Sequence, residues 1–307
     1  MKIKLFLFIA SLIVYYTIGQ EVFEKDILIK NGNIELPGTL SYTDTSKKLV
    51  IWIHGSGNVD RNGNQAGVNI KANYIKQFRG EMNKNNIAFF SYDKRTSNPK
   101  NAAYLEGIVL DDFVNDAKKA IEYFKKEKTF KEIILIGHSQ GSLVAMLASK
   151  GVSKYVSLAG PGESIDKTII KQVTGQSANL GKTTADHFKE LKETGTIKEV
   201  NPMLISIFAK QNLAFFRNWM SYDSLKEIAK IKIPVLIING TKDLQVKVSD
   251  ANALSAANKK AQLAIIENMN HVLKSIEKDE DNMKSYCSPD YTISSELVKT
   301  ITKFVNE

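Results

Sequence analysis

The stretch from Ile133 to Gly141 reads IILIGHSQG, and an Ala- and Leu-rich segment that predicts a helix continues to Lys150. Four consecutive apolar residues indicate a strand that is buried on both faces. A Gly-x-Ser-x-Gly pattern between a strand and a helix predicts a sharp turn that exposes the serine above the sheet. Ser139 is therefore the candidate nucleophile, and the alternative is a serine that only caps the following helix.

Further apolar runs on either side of this stretch predict the rest of a sheet. They lie at residues 49–53, 87–92 and 234–238, with shorter candidates at 155–158 and 263–266. Segments with helical spacing of apolar residues alternate with them, at 70–83, 111–126, 249–258 and 294–304. Because buried strands that alternate with helices form parallel sheets, the sequence predicts an α/β fold with a doubly wound, mostly parallel sheet.

An antiparallel start precedes these strands. Short β-like segments at 27–30 and 34–36 flank Asn31-Gly32, a dipeptide that is favoured in two-residue hairpin turns. Residues 39–42 can extend the second strand. The sequence therefore predicts a hairpin at the beginning of the sheet.

Residues 163–231 interrupt the alternation, since they contain no good strand but many lysines and threonines. Asn201 and Pro202 resemble an N-cap and a first helical position. Aromatic side chains then return at roughly helical spacing, at Phe208, Phe215, Phe216 and Trp219. We interpret 163–231 as a helical cap inserted in a single domain of residues 20–307. Most of its aromatic residues should pack in a core, and some could line a substrate site.

The first 19 residues predict a targeting segment outside this domain. Lys2 and Lys4 precede an apolar run from Leu5 to Tyr16, and small residues follow. This pattern is typical of a secretory signal peptide, with cleavage expected after Gly19, and an uncleaved anchor is the alternative. The run is shorter than the roughly 20 residues that a membrane-spanning helix needs. We therefore expect an exported protein, periplasmic or secreted, without stable membrane insertion.

Composition excludes several classes of function. The net charge is +9, and removal of residues 1–19 lowers it to +7 because two lysines and no acids are lost. The basic residues form no stripe interleaved with aromatic residues, so nucleic acid is not an expected partner. Cys287 is the one cysteine, which leaves no intrachain disulfide, and no Cys/His spacing suggests zinc. No metal or cofactor is expected.

A serine nucleophile needs a base and an orienting acid, which should follow it in the order acid, then histidine. Asp243 follows the predicted strand 234–238 across a turn, and His271 follows the predicted strand 263–266. His271 is the only histidine after Asp243, so it is the candidate base. Asp243 is the candidate acid, although a turn aspartate is an alternative role, and Glu163 is a second candidate because it also follows a strand.

The negative charge that develops on the substrate oxygen requires backbone N–H donors. The amide of Gln140, directly after the nucleophile, should be one donor, and the amide of Ser56 in the glycine-rich loop after strand 49–53 should be the other. Gly57 is the alternative for the second donor. The remaining histidines have other expected roles: structural support for His54 and His138, and a solvated surface position for His187.

With these residues in place, the chain resembles the α/β-hydrolase superfamily over essentially all of residues 20–307. The segments HGSGNVDRNG at 54–63 and SYDKR at 91–95 are similar to those of bacterial exported carboxylesterases, which are related to serine aminopeptidase-like and dienelactone-hydrolase-like proteins. Thr96 stands where these relatives usually have glycine. Asp93 and Arg95 are expected to form a structural ion pair beneath the site.

The residues and the resemblance together predict a serine hydrolase with the triad Ser139, Asp243 and His271. The expected reaction is cleavage of a small-molecule carboxylic ester through an acyl-enzyme, without a cofactor. Activity should fall in acid, because a protonated His271 cannot act as a base. A peptidase, an aminopeptidase or a thioesterase of the same fold is the alternative, and a non-catalytic ligand-binding relative is a further one.

Overall fold

The computed structural model describes residues 21–65, 67 and 70–307. The expected signal peptide, residues 1–19, lies outside the described residues. The described chain forms an eight-stranded sheet in the order β1-β2-β4-β3-β5-β6-β7-β8. The strands are β1 (Phe23–Asn31), β2 (Ile34–Tyr42), β3 (Lys48–Ile53), β4 (Ile87–Tyr92), β5 (Glu132–His138), β6 (Lys154–Leu158), β7 (Val235–Gly240) and β8 (Gln262–Ile266).

The pairing of these strands confirms the predicted fold class. β2 pairs antiparallel with β1 and with β4, whereas the pairs from β4 through β3, β5, β6 and β7 to β8 are all parallel. In a parallel sheet the carboxyl ends of the strands lie along one edge, where loops of an α/β protein commonly form its ligand site. This edge carries the predicted site residues.

The hairpin turn is shifted by one residue from its predicted position. Asn31 pairs with Ile34, so the two turn residues are Gly32 and Asn33 rather than Asn31 and Gly32. Gly32 has a φ of 60°, and Asn33 has a negative φ. A positive φ at the first turn position alone is typical of a type II′ turn, for which glycine at that position is favoured.

Helices cover both faces of the sheet. The sequence of β3 is apolar throughout because both of its faces are buried. Leu49, Ile51 and Ile53 face one hydrophobic core, while Val50 and Trp52 face the other. Helices α2 (Leu110–Glu127), α3 (Gln140–Ala148) and α9 (Val248–Ala257) pack on the first core, and α1 (Tyr74–Lys84) and α11 (Ser295–Asn306) on the second. A further short helix, α10, spans Asp279–Ser285.

The chain between β6 and β7 contains helices and no strand. These are α4 (Ile165–Gln176), α5 (Ala178–Thr194), α6 (Ile205–Phe208), α7 (Lys210–Met220) and α8 (Ser224–Lys230), with a 3-10 turn at Pro202–Leu204. The Asn201 side chain accepts a hydrogen bond from the Met203 amide (2.9 Å), as expected of an N-cap. We refer to residues 163–231 as the cap.

The cap contributes a group of aromatic side chains, the cap core, to the first hydrophobic core of the sheet. The Phe208 ring packs against Phe188 and His187, with ring centroids 4.8 and 5.2 Å apart. The prediction of a solvated His187 is wrong, because its side chain is buried and its Nε2 accepts a hydrogen bond from the Asn201 amide (3.1 Å). No helix in the described part of the chain has both the length and the apolar character needed to cross a membrane.

Candidate active site

Ser139 lies in the turn between β5 and α3, with φ 54° and ψ −124°. Its amide donates to the carbonyl oxygen of Leu158 (2.9 Å), which ties the turn to the neighbouring strand β6. The two glycines of the motif are required by close packing. A Cβ on Gly137 would lie 2.7 Å from the Ser142 Cα, and one on Gly141 would lie 2.5 Å from the His54 carbonyl oxygen.

Asp243 and His271 meet at the carboxyl edge of the sheet, although 28 positions separate them. His271 Nδ1 lies 2.8 Å from Asp243 Oδ2, and both side chains are buried. The other carboxylate oxygen accepts hydrogen bonds from the amides of Gln245 (2.7 Å) and Val246 (2.9 Å). With Nδ1 engaged by the carboxylate, Nε2 is the nitrogen of His271 that remains available to react.

The surroundings of Asp243 keep it ionised. Burial raises its pKa, but the adjacent His271 and the amides of Val246 and Gln245 outweigh burial, so its pKa lies below the ordinary value. Glu163, the second candidate acid, instead pairs with Lys171 (2.5 Å), and its side chain is one-third exposed. The geometry favours Asp243 as the partner of the histidine.

His138 holds His271 beside the elbow. Its Nε2 donates to the backbone carbonyl oxygen of His271 (2.8 Å), and its ring stacks on Trp52. Burial, followed by the proximity of His271, lowers the pKa of His138 to about 3, so it is neutral. Within the described residues no hydrogen bond joins the Ser139 hydroxyl to His271, and such bonds are often longer before substrate binds.

The loop after β3 packs directly against the elbow. A Cβ on Gly55 would lie 3.1 Å from the Ser139 Cβ, which places Ser56 next to the nucleophile. Gln140 is the first residue of α3, where backbone N–H groups lack partners within the helix. Ser56, Gly57, Ser139 and Gln140 all line one cavity, so Gly57 remains the alternative to Ser56.

His54 supports this loop from behind. Its Nε2 donates to the Tyr92 carbonyl oxygen, and its ring meets the Tyr92 ring edge-on. Burial lowers the pKa of His54 to about 4, so the ring is neutral. These contacts fit a structural role.

A cavity of about 740 Å³ lies above Ser139, between the sheet edge and the cap. Its walls combine apolar side chains, uncharged polar ones and one lysine, Lys94, and no carboxylate lines it among the described residues. Helix α4 contributes Ile165, Thr168, Ile169 and Gln172, and helix α7 contributes Gln211, Asn212, Phe215, Phe216 and Trp219. The aromatic residues of α7 therefore serve both the cap core and the cavity wall.

The predicted ion pair between Asp93 and Arg95 is wrong, because each residue pairs elsewhere. Asp93 accepts hydrogen bonds from Arg61, with Nη2 2.9 Å from Oδ2. The Arg95 guanidinium binds Asp116 of α2 through Nε (2.7 Å) and Nη2 (2.8 Å). Both residues lie in the loop after β4, where Arg61 is in reach of Asp93 and Asp116 is in reach of Arg95.

One residue of the site was not singled out from the sequence. This residue is Lys94, which stands between Asp93 and Arg95 in the sequence. Its side chain is buried and lines the cavity. The signal for it was the SYDKR segment itself, which places a lysine two residues after a buried strand. The described residues contain no group of three or more His, Cys, Asp or Glu side chains placed to hold a metal ion.

Comparisons with solved structures show the class of fold, the α/β-hydrolase fold. Est1E from Butyrivibrio proteoclasticus matches with a TM-score of 0.59 at 17% identity, over 92% of this chain and 99% of that one. The Pyrococcus furiosus esterase Pf2001 matches with a TM-score of 0.58 at 19% identity, over 92% and 91% of the two chains. The acylaminoacyl peptidase of Pyrococcus horikoshii matches with a TM-score of 0.58 at 13% identity, over 95% of this chain and 42% of that one.

The sequence assigns the chain to a narrower group than the fold does. The BD-FAE family model matches residues 39–257, which is more than half of the chain. The chain belongs to the BD-FAE family. No curated protein matches it.

Proposed function

We propose that this protein is a serine hydrolase that cleaves carboxylic esters through an acyl-enzyme. The observation that carries the proposal is the 2.8 Å contact between His271 Nδ1 and Asp243 Oδ2, beside an elbow that holds Ser139 at a positive φ. A strained serine, a histidine and a buried carboxylate at the carboxyl edge of a parallel sheet make up the set of groups needed for acyl transfer. Because residues 1–19 resemble a secretory signal peptide, we also propose that the protein acts after export.

The reaction begins when His271 Nε2 takes the proton of the Ser139 hydroxyl and the oxygen attacks the ester carbonyl. The amides of Ser56 and Gln140 donate hydrogen bonds to the resulting oxyanion. His271 then gives its proton to the departing alcohol, which leaves an acyl group on Ser139. Water deprotonated by His271 attacks this ester, and collapse of the second intermediate releases the acid.

Asp243 has two tasks in this scheme. It keeps the proton of neutral His271 on Nδ1, so that Nε2 can accept one from Ser139. It also stabilises the imidazolium that forms in each half of the reaction.

The chemistry of the cavity favours esters over peptides with a free amino terminus. Recognition of a terminal ammonium normally uses a carboxylate, and none lines the described cavity. The relative Est1E has been crystallised with ferulic acid, a small-molecule acid, as its ligand. Peptide and thioester hydrolysis are the alternative outcomes of the test.

The test compares the mature protein with Ser139→Ala on p-nitrophenyl esters of two to twelve acyl carbons. We expect Ser139→Ala to lose at least about 10⁴-fold in kcat, because the covalent step is removed. Ser221→Ala is the matched control, since Ser221 is an exposed serine of the cap outside the cavity lining and should leave activity intact. Full activity in Ser139→Ala would reject the mechanism, and hydrolysis of aminoacyl amides or thioesters alone would reject the ester assignment.

A further inference from the structure

Lys94 is a buried lysine that the proposed reaction does not use. It follows β4 and is 5% exposed. Its Nζ donates to the Gly55 carbonyl oxygen (2.7 Å) and to the Gln140 side-chain oxygen (2.9 Å), and it lies 4.5 Å from the centre of the Phe113 ring. Gln140 and Phe113 line the cavity, and Gly55 directly precedes Ser56, which also lines it.

The bond to Gly55 acts on the peptide that carries the Ser56 amide. The Gly55 carbonyl and the Ser56 N–H belong to one planar peptide unit and point in opposite directions. A donor that fixes the oxygen from behind therefore also fixes the direction of the N–H. A cation on the oxygen polarises the unit as well, which makes the N–H a stronger donor.

The bond to Gln140 reaches the residue that carries the other donor. Gln140 contributes its backbone N–H to the candidate oxyanion site, and its side chain turns back to accept from Lys94. One ammonium thus connects the loop after β3 with the first turn of α3. The Phe113 ring covers a further side of Lys94. The contacts with Gly55 and Gln140 link Lys94 to both candidate donors.

Burial of this lysine is energetically unfavourable. Desolvation lowers the pKa of Lys94 to about 7, and Asp116 offsets this only in part. Lys94 forms no ion pair among the described residues. An apolar side chain of the same length would avoid the desolvation of a charge, so stability alone does not account for a lysine here.

We propose that Lys94 is a positioning residue that orients and polarises the Gly55–Ser56 peptide and couples it to Gln140, so that both amides meet the oxyanion. This inference rests on the proposed function. It adds a residue that acts on the oxyanion site through the Gly55–Ser56 peptide and the Gln140 side chain.

The test is the Lys94→Met variant, which keeps the length of the side chain and removes the ammonium. We expect kcat for p-nitrophenyl butyrate to fall by roughly 10- to 100-fold with KM within about threefold of wild type, below the loss for deletion of a donor. The melting temperature should stay within a few degrees. An aryl boronic acid, which forms a tetrahedral adduct on Ser139, should bind correspondingly more weakly.

Lys154→Met is the matched control at the opposite end of the sheet. Lys154 is also a buried lysine that donates to a backbone carbonyl, that of Phe304 (2.8 Å), and lies near the Phe304 ring. This variant should lower stability and leave kcat unchanged. Lys94→Ala with added butylammonium provides a rescue experiment, in which the small cation should restore part of the lost rate.

Two results would overturn the role of Lys94. One is kcat in Lys94→Met within twofold of wild type, and the other is a loss of kcat that disappears once the unfolded fraction is accounted for. If Lys94→Met does not fold, Gln140→Met tests the contact between Lys94 and the Gln140 side chain. An unchanged kcat in Gln140→Met would then reject the role of Lys94.

The rate of Ser139 phosphonylation by a fluorophosphonate separates this inference from the proposed function. A wild type that is inert to esters but is phosphonylated rejects the ester proposal, and slower phosphonylation of Lys94→Met would still support the positioning role. Equal phosphonylation rates in the two proteins would reject it.

Discussion

Ser139 combines a φ of 54° with a ψ of −124°, a conformation that costs a non-glycine residue roughly 1–3 kcal/mol. The surrounding backbone holds it there through the bond from its amide to Leu158 and through packing of Gly55 on its Cβ. Part of the stability of the fold is therefore used to expose one hydroxyl.

At the same scale, the roles of the two candidate acids can be separated. Asp243→Asn keeps an oxygen that can accept from the Gln245 and Val246 amides, but it removes the charge beside His271. By analogy with other triads we expect kcat to fall about 10⁴-fold, because the histidine loses its orienting carboxylate. Steady-state rates on p-nitrophenyl butyrate measure this.

Glu163→Gln is the control for Asp243→Asn. It breaks only the partly exposed pair with Lys171, and such a pair contributes about 0–1 kcal/mol. Its kcat should equal that of wild type. A large loss in Glu163→Gln together with a mild one in Asp243→Asn would transfer the role of the acid to Glu163.

At the scale of elements, two cap helices determine the size of the cavity. The α4 residues that line it, Ile165, Thr168, Ile169 and Gln172, recur every three or four positions, so one face of this helix forms a wall. The opposing wall comes from α7. We therefore expect the cap helices, rather than the sheet, to select the acyl or alcohol group of the proposed substrate.

A bulkier residue in the middle of the α4 face should therefore change substrate preference. In Thr168→Trp we expect kcat/KM for the dodecanoate ester to fall by roughly tenfold or more, while that for the acetate changes less than about threefold. Lys167→Trp, at an adjacent exposed position, should leave the profile as in wild type. Parallel losses for short and long esters in Thr168→Trp would contradict the assignment of α4 as a wall.

At the scale of the whole molecule, the carboxyl edge of the sheet contains buried neutral histidines. The pKa of His54 is lowered to about 4 and that of His138 to about 3, mainly by burial. In the unfolded chain both should titrate near 6.5. Between these values the unfolded chain binds more protons than the folded one, so acid favours unfolding.

We expect the free energy of unfolding to be greatest above about pH 6.5 and to fall as the pH decreases from about 6.5 towards 4 for His54 and towards 3 for His138. The lowering of each histidine pKa corresponds to a loss of roughly 3–5 kcal/mol in the free energy of unfolding over this pH range. That is a large part of the stability of an ordinary domain. Urea unfolding at intervals from pH 7.5 to 4 measures this. A free energy that stays level over that range would show that the two histidines can be protonated in the folded state.

Local features of the sequence were sufficient to predict the sheet. The apolar run of β3 and the strand–turn–helix pattern around Ser139 report burial and backbone geometry of neighbouring residues, and neither depends on distant partners. The hairpin turn was wrong by one residue because hydrogen-bond register, not the presence of an Asn-Gly pair, decides which residues are unpaired. The cap helices could be predicted as helices, but the side of each that lines the cavity could not.

The sequence by itself determined the order of Ser139, Asp243 and His271 along alternating strands and helices, and in a parallel sheet that order brings the ends of strands to one edge. Only the tertiary structure decided which charged groups pair. Arg95 binds Asp116, 21 positions away, and Lys94 binds Gln140, 46 positions away. The pairing of these charged groups depends on which side chains folding brings within reach of one another. Burial strengthens the hydrogen bonds and ion pairs that form and makes an unpaired polar group energetically costly.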